Sequence, residues 1–238
     1  MKTIYKTKGK AKEYGELALN IYTGCTHKCK YCYAPSVLRK DSEVFHEEAA
    51  VREGIVEATR ERLVNGYIKN QEIFICFTCD PFPIGIDHTP TFDIIRLIKE
   101  SGNHIAVLTK GRPEEELFSL LDENDRFGVT IACGEEMTKE LEPNASTYAE
   151  RIEYLKKAKS HRIPTFVSFE PVYETEAVYD LIKNADFIDE YRIGKLNYIP
   201  IDIDWKLFGE TCVALCESHK RAYKIKEGLR EFMDAAVL

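Results

Sequence analysis

The sequence predicts an α/β chain folded as a partial, laterally open (β/α)6 barrel in a single domain. Six short strand-like segments alternate with six helical ones in strict order. Such alternation builds a parallel sheet with right-handed crossovers. The chain has 238 residues, slightly short of the ~250 that eight complete units take. No change of composition marks a linker and no internal repeat divides the chain. A lysine-rich N-terminal arm over residues 1–15 and a barrel domain over 16–238 are expected. An open, doubly wound sheet is the alternative architecture, and in either one the site lies at the carboxyl ends of the strands.

The elements follow in order. Residues 17–22 form the first strand, and a cysteine-rich loop covers 24–34. Residues 45–64 carry helical spacing (Val44, Ala49, Val51, Ile55, Val56, Leu63) and stop at Asn65-Gly66. A buried strand at 72–78 leads through Asp80-Pro81-Phe82-Pro83 to a helix at 91–100. The alternation continues with a strand at 105–108 and a helix at 113–121, with Pro113 suited to its first position. Next come a strand at 127–132, a helix at 146–160, a strand at 165–169 and a helix at 174–183. A sixth strand at 187–193 is followed by a loop and one long helix at about 205–232.

Composition excludes several classes. Apolar residues are 44% and charged residues 31%, as in ordinary globular chains rather than disordered or fibrous ones. Apolar runs of about six residues fall far short of the ~20 that cross a bilayer, so no membrane partner is expected. The N-terminal lysines precede no apolar run, unlike a secretory signal, and a cytoplasmic location is expected. Residues 1–40 carry nine basic and two acidic side chains, or +7, which leaves −14 on the remainder. That basic stretch is either a solvated arm or a local face for a polyanion or an acidic redox partner.

Eight cysteines in a chain of this compartment point to metal binding or catalysis rather than to disulfides. Cys25, Cys29 and Cys32 fit one tight loop, and soft thiolates suit iron–sulfur clusters or zinc. Lys28 and Lys30 would favour the ionised thiols. A zinc site completed by His27 or a distant residue is the structural alternative.

Cys25-x3-Cys29-Lys30-Tyr31-Cys32, placed after the first strand of a βα-repeat chain, resembles the radical S-adenosylmethionine (SAM) superfamily. The resemblance implies a [4Fe–4S] cluster on Cys25, Cys29 and Cys32, with SAM chelating the fourth iron. One electron would cleave SAM to a 5′-deoxyadenosyl radical that abstracts hydrogen from a substrate. It also implies a reductant such as a flavodoxin or ferredoxin.

The similarity extends to the spore photoproduct lyase branch over residues 18–175. Tyr31 and Tyr33 bracket Cys32 as two tyrosines do there. Thr78-Cys79-Asp80, Gly85-Ile86-Asp87-His88, Leu108-Thr109-Lys110, Glu142-Pro143, Arg151-Ile152-Glu153 and Pro171-Val172-Tyr173 follow in the lyase's order. One departure matters. Where the lyase has a cysteine that returns hydrogen to its product, this chain has Phe77, with Cys76 one residue earlier and Cys79 two later.

By resemblance, Lys110 and Thr130 bind the SAM carboxylate, and Thr78, Cys79 and Asp80 meet its amino group, chiefly through backbone carbonyls. Asp80, preceding a proline, also suits a simple turn. Tyr31 would contact adenine and Tyr33 would relay a hydrogen atom, with packing beside the cluster as the alternative for both. Cys79 and Cys133, at strand ends, are candidate hydrogen-atom donors. Cys76 is expected on the opposite face of its strand. A second cluster on Cys76, Cys79 and Cys133 is a further reading, and burial as small apolar residues is another.

Glu142 and Arg151 are expected to form an ion pair, and Cys212 and Cys216 to pack on one helical face. Glu170, Arg192, Lys195 and Asn197 fall at strand ends where substrate should bind. The leading function is radical SAM repair or modification of a nucleic-acid base. Radical chemistry on a peptide or small metabolite, and a non-catalytic metal-binding module, are the competing readings.

Overall fold

The computed structural model describes residues 3–234. Eight strands form one sheet in strict chain order: β1 (Tyr5–Lys6), β2 (Leu17–Leu19), β3 (Glu72–Ile75), β4 (His104–Thr109), β5 (Arg126–Thr130), β6 (Thr165–Phe169), β7 (Glu190–Ile193) and β8 (Tyr223–Ile225). β1 pairs antiparallel with β2, and β2 through β8 are parallel. A doubly wound sheet reverses its order at a switch point. This one never does, and its end strands do not pair, so the sheet is a partial, open barrel.

The helices are α1 (Ala34–Leu38), α2 (Ser42–Glu47), α3 (Ile55–Val64), α4 (Thr89–Glu100), α5 (Glu115–Leu120), α6 (Glu135–Leu141), α7 (Tyr148–Ser160), α8 (Thr175–Asn184), α9 (Trp205–Ser218) and α10 (Glu227–Arg230), with a short 3-10 helix at Gly9–Glu13. Alternate strand residues separate two cores, as the period of two requires. Ile73, Ile75, Ile105, Val107, Phe127, Val129, Val167, Phe169, Tyr191 and Ile193 lie in the core between sheet and helices. Ala18, Phe74 and Ala106 form a second, inner cluster with Tyr14, Phe77 and Leu108. Within the barrel, the Phe166 ring lies under the guanidinium groups of Arg192 (4.5 Å) and Arg126 (5.5 Å).

Four features depart from the sequence expectation. The helix expected over 45–64 is two helices, because residues 50–52 leave the helical path to join the segment after β2. Thr23 N donates to Ala50 O (2.8 Å), Arg52 N to Ile21 O (2.9 Å), and Tyr22 bridges Val51. Tertiary pairing there overrides the helix propensity of Glu48-Ala49-Ala50. The terminal helix ends at Ser218, and Lys220 takes a left-handed conformation (φ 54°), turning the chain into β8. No glycine or proline marks that turn. The short α6 was not anticipated, and Pro113 precedes α5 rather than opening it.

The segment read as a basic arm is packed on the barrel where it is described. β1 extends the sheet, and the 3-10 helix crosses the seam left by the unpaired end strands. Lys10 Nζ donates to Asn197 Oδ1 (3.0 Å), Glu227 N to Glu13 Oε1 (2.8 Å) and Lys224 Nζ to Glu13 O (3.2 Å).

Gly128 shows how closely the barrel interior is filled. A Cβ there would stand 2.5 Å from the Phe166 ring, which the two guanidinium groups hold. Gly128→Ala is therefore expected to destabilise the fold by about 1–3 kcal/mol, measured by urea denaturation.

Candidate active site

The cysteine loop lies between β2 and α1, at the carboxyl ends of the parallel strands. Its backbone is fixed from several sides. Gly24 permits the closest approach, since a Cβ there would meet Phe45 O of α2 at 2.0 Å. Cys25 N donates to that same carbonyl (3.3 Å), and His46 Nδ1 lies 2.7 Å from Cys25 O. Asn144 Nδ2 donates to Thr26 O (2.9 Å), Lys30 N to Leu141 O (2.9 Å) and Thr26 Oγ1 to Ile84 O (2.7 Å). Cys32 N closes the loop on Cys29 O (3.0 Å). Five of the loop's polar groups are thus held by chain segments distant in sequence.

Burial pushes the thiol pKa values upward: Cys25 well up, Cys29 to about 12, and Cys32 above its ordinary value. Lys110 opposes the shift at Cys29 and Cys32. Lys28 and Lys30 do not play the role the sequence assigned them. They turn outward to Glu47 and Glu140. His27 is buried, with Nε2 3.3 Å from Phe82 O and Nδ1 3.7 Å from Asp80. Nε2 is thus engaged by a backbone carbonyl, and Nδ1 faces the Asp80 carboxylate. Burial lowers the His27 pKa, against the pull of Asp80.

Asp80 is a brace between loops. Its Oδ1 accepts from Phe82 N (2.9 Å) and Thr109 Oγ1 (2.6 Å), and its Oδ2 from Lys110 N (2.8 Å). The Lys110 side chain runs beside Tyr31, its ammonium 5.8 Å from the ring centroid. Burial works against that charge, but Cys29, Glu142 and Asp80 hold its pKa above the ordinary value. Among the described residues, no hydrogen-bond or ion-pair partner engages the ammonium.

Tyr31 stands against Tyr173 (5.5 Å between centroids), and its hydroxyl donates to Glu142. Glu142 forms the expected ion pair with Arg151, and both are fully buried. Arg151 also donates to Thr130 O (2.9 Å) and Ser146 O (2.7 Å). Thr130 pairs in register with Ser168, which contacts Tyr14 inside the barrel, so Thr130 is on the inner face. Tyr33 is about half exposed and donates to Phe77 O (2.7 Å).

The other cysteines fall into three groups. Cys133 is buried, its sulfur 3.5 Å from Thr138 Oγ1 of α6. Cys79 packs against the cluster of Cys25, Ala34 and Phe45 and also against the outer, sheet–helix core, of which Cys76 is a buried member. Phe77 stacks on Phe74 of the inner cluster (4.2 Å, 17°). Cys212 and Cys216 are buried in the outer core on α9.

A second polar group gathers around Lys226 inside the barrel. Lys226, after β8, is 2% exposed and donates to Glu170 Oε2 (2.5 Å), Ser168 Oγ (3.2 Å) and the Tyr14 hydroxyl. Asn197 Nδ2 donates to Glu170 Oε1 (2.9 Å). Burial opposes the Lys226 charge, but Tyr14 and Glu170 hold its pKa above the ordinary value. Glu170 and Asn197, named from sequence, are thus brought together. Arg192 faces the inside of the barrel, and one buried guanidinium nitrogen has no partner. Lys195 instead lies against Trp205 and Phe232. Sequence reasoning missed Tyr14 and Lys226, and named Tyr173 only within a strand-end motif. Lys226 was hidden because its segment was assigned to a helix, and Tyr14 because it sits among the lysines of the supposed arm.

An open parallel barrel with three thiols held over its strand ends defines a class of enzyme. The model of the radical SAM superfamily matches residues 19–188, and the chain belongs to that superfamily as an enzyme of the radical SAM class. Solved structures with the same fold include a spore photoproduct lyase complexed with dinucleoside spore photoproduct. It is 15% identical, with a TM-score of 0.67, over 92% of this chain and 78% of that one. A lyase variant holding AdoMet and the dinucleoside photoproduct gives the same values. SuiB from Streptococcus suis, bound to S-adenosylmethionine, is 13% identical, with a TM-score of 0.63, over 94% of this chain and 54% of SuiB. No curated protein sequence matches the chain.

The buried Arg151–Glu142 pair joins the cysteine loop to the end of β5. Removing the cation alone leaves an uncompensated carboxylate. Arg151→Met is expected to cost about 3–5 kcal/mol, measured by denaturant titration.

Proposed function

We propose that this chain cleaves SAM reductively at a [4Fe–4S] cluster held by Cys25, Cys29 and Cys32, and that it acts on a nucleic-acid base in photoproduct repair or a related base modification. The observation that carries the reading is the cysteine loop itself, pinned over the open ends of the parallel strands. The donor set fits the cluster. Three soft ligands occupy one loop, the donor type that iron–sulfur clusters take. Among the described residues no three acidic, histidine or cysteine side chains converge on one point. Ligands that each hold a different iron need not converge. When bound, the cluster and SAM supply the 5′-deoxyadenosyl radical.

The chain's own residues supply binding and shape. Lys110 directs an unpaired ammonium beside Tyr31, where it takes the SAM carboxylate, and Thr130 lies on the same inner wall. The Tyr31 hydroxyl is tied to Glu142, so its contribution to adenine is the ring face. Thr78, Cys79 and Asp80 border the loop, and the Asp80 side chain, occupied by three donors, leaves the backbone carbonyls for the amino group. Tyr33 relays hydrogen, and Cys79 and Cys133 are the thiols offered to a product radical. Across the barrel, Lys226, Glu170, Tyr14 and Asn197 present both donors and acceptors to the substrate.

The nucleic-acid reading is supported by the shared fold of a lyase that holds a dinucleoside photoproduct, and by Lys8, Lys10 and Lys12 beside the seam. The −14 charge of the remaining chain favours a second reading, radical chemistry on a peptide or small metabolite. A flavodoxin- or ferredoxin-class protein would deliver the electron. Eight free thiols fit a reducing, cytoplasmic setting. Among the described residues no helix is long and apolar enough to cross a membrane.

Anaerobically reconstituted protein is expected to absorb broadly near ~400 nm and to release 5′-deoxyadenosine with dithionite and SAM. Cys29→Ala should lose both properties, while Cys212→Ala keeps full iron. Iron retained in Cys29→Ala would overturn the cluster assignment. With dinucleoside spore photoproduct, recovery of thymine supports repair. Continued uncoupled release of 5′-deoxyadenosine without thymine moves the substrate to another class.

Lys110→Ala should weaken SAM binding by about 1.5–3 kcal/mol through loss of a charge-assisted bond to the carboxylate. Equilibrium dialysis of reconstituted protein measures this, and an unchanged Kd would remove Lys110 from the site.

A further inference from the structure

We propose that the amino end of the barrel holds a second site, which binds a small free oxyanion of the phosphate class and fastens the N-terminal segment across the seam. A cavity of about 340 Å3 lies there. It is lined by Lys12 and Tyr14 of the N-terminal segment, by Glu72 and Arg126 at the starts of β3 and β5, and by Arg192 and Lys224 of β7 and β8. The cysteine loop is at the opposite end of the strands, so this site stands apart from the chemistry proposed above.

Arg192 is the residue that points to a ligand. It is 5% exposed, its Nε donates to Glu190, and the Phe166 ring lies 4.5 Å from its guanidinium. Among the described residues its buried Nη1 has no hydrogen-bond partner. A guanidinium does not shed its proton to escape that cost. A ring face attracts the charge but offers no lone pair to an N–H. A buried charged donor left unpaired is expensive, and an oxyanion in the cavity that this side chain lines supplies the acceptor.

The other charges around the cavity agree. Lys12 and Lys224 are exposed at its mouth, and among the described residues Lys224 Nζ donates only to Glu13 O (3.2 Å). Two of the bordering carboxylates are committed elsewhere. Both Glu72 oxygens accept from Arg126, and Glu13 Oε1 accepts from Glu227 N (2.8 Å). Glu16 is exposed at the rim. Cations from three separate segments suit a tetrahedral dianion better than a carboxylate, whose two oxygens lie in one plane.

Position gives the site its effect. Lys12 comes from the 3-10 helix that covers the seam, whereas Arg192 and Lys224 come from the last two strands. Tyr14 O accepts from Arg126 Nη2 (3.2 Å), and the Tyr14 ring stands 5.9 Å from the Arg192 guanidinium. Without an anion the three cations repel one another across the seam. A dianion between them joins the cover to the barrel by charge-assisted bonds.

The test uses anaerobically reconstituted holoenzyme titrated with inorganic phosphate in a calorimeter, with ionic strength held constant by sodium chloride. One saturable site is expected, and phosphate should slow amide hydrogen exchange over residues 8–14. Arg192→Met, which keeps an apolar stem against Phe166, should weaken binding about tenfold or more. Lys12→Ala and Lys224→Ala, both at exposed positions, should each weaken it about threefold or more and keep the iron content. They carry the test if Arg192→Met does not fold. Heat no greater than in chloride alone overturns the proposal, as does phosphate binding unchanged in both lysine variants. Binding lost in Lys110→Ala instead moves the phosphate to the other end of the barrel and also overturns it. Saturable binding with unaltered exchange over residues 8–14 overturns the fastening role.

Discussion

The site depends on one buried ion pair. Arg151 and Glu142 lie out of water, and each also serves a neighbour. Glu142 takes the hydroxyl of Tyr31 from the cysteine loop, and Arg151 holds the carbonyls of Thr130 and Ser146. A buried pair of this kind contributes little net stability compared with apolar residues of the same volume. Its contribution here is registry. Tyr31 is two residues from Cys29 and one from Cys32, so the pair fixes the position of the thiols relative to β5 and α7.

Asp80 acts in the same way on the neighbouring wall. Its carboxylate collects a side chain and two backbone amides from two loops, and so sets the start of the segment that carries Lys110. The strand interiors are apolar and could slide against their helices with modest cost in contacts. Directional bonds to two buried carboxylates remove that freedom at the strand ends, where chemistry requires it. Among the described residues the Lys110 ammonium has no hydrogen-bond or ion-pair partner, which leaves it available for the SAM carboxylate in the function proposed above.

Much of this was legible in the sequence because the signals were local or periodic. Residues 165–169 form β6 with the expected bounds, since five buried positions in a row have no competing helical pattern. The cysteine loop, the Glu142–Arg151 pair and the core positions of Cys212 and Cys216 were likewise read directly. The misreadings share a cause: long-range pairing decided the local structure. Residues 50–52 give up a favourable helix to pair with the segment after β2, and 223–225 do so to extend the sheet beyond β7. Lys28 and Lys30 were assigned to the thiols by proximity in sequence. The side chains point outward, and the cation beside the thiols is Lys110, which follows β4, eighty residues away in the chain from Lys30.

The same pairing changes what the N-terminal basic stretch does. As a free arm, its lysines would sample a wide volume and hold any polyanion loosely. β1 and the 3-10 helix instead carry Lys8, Lys10 and Lys12 along the seam of the open barrel, and Lys10 meets Asn197 at the strand ends. The next residues turn inward, so that Tyr14 extends along the barrel interior to Ser168, Glu170 and Lys226. A partial barrel leaves its end strands unpaired and its interior open on that side. Here the chain's first described residues cover the opening, bring positive charge to its rim and place a phenol among Ser168, Glu170 and Lys226. The cover over the lateral opening and the positive charge at its rim are therefore built from one segment.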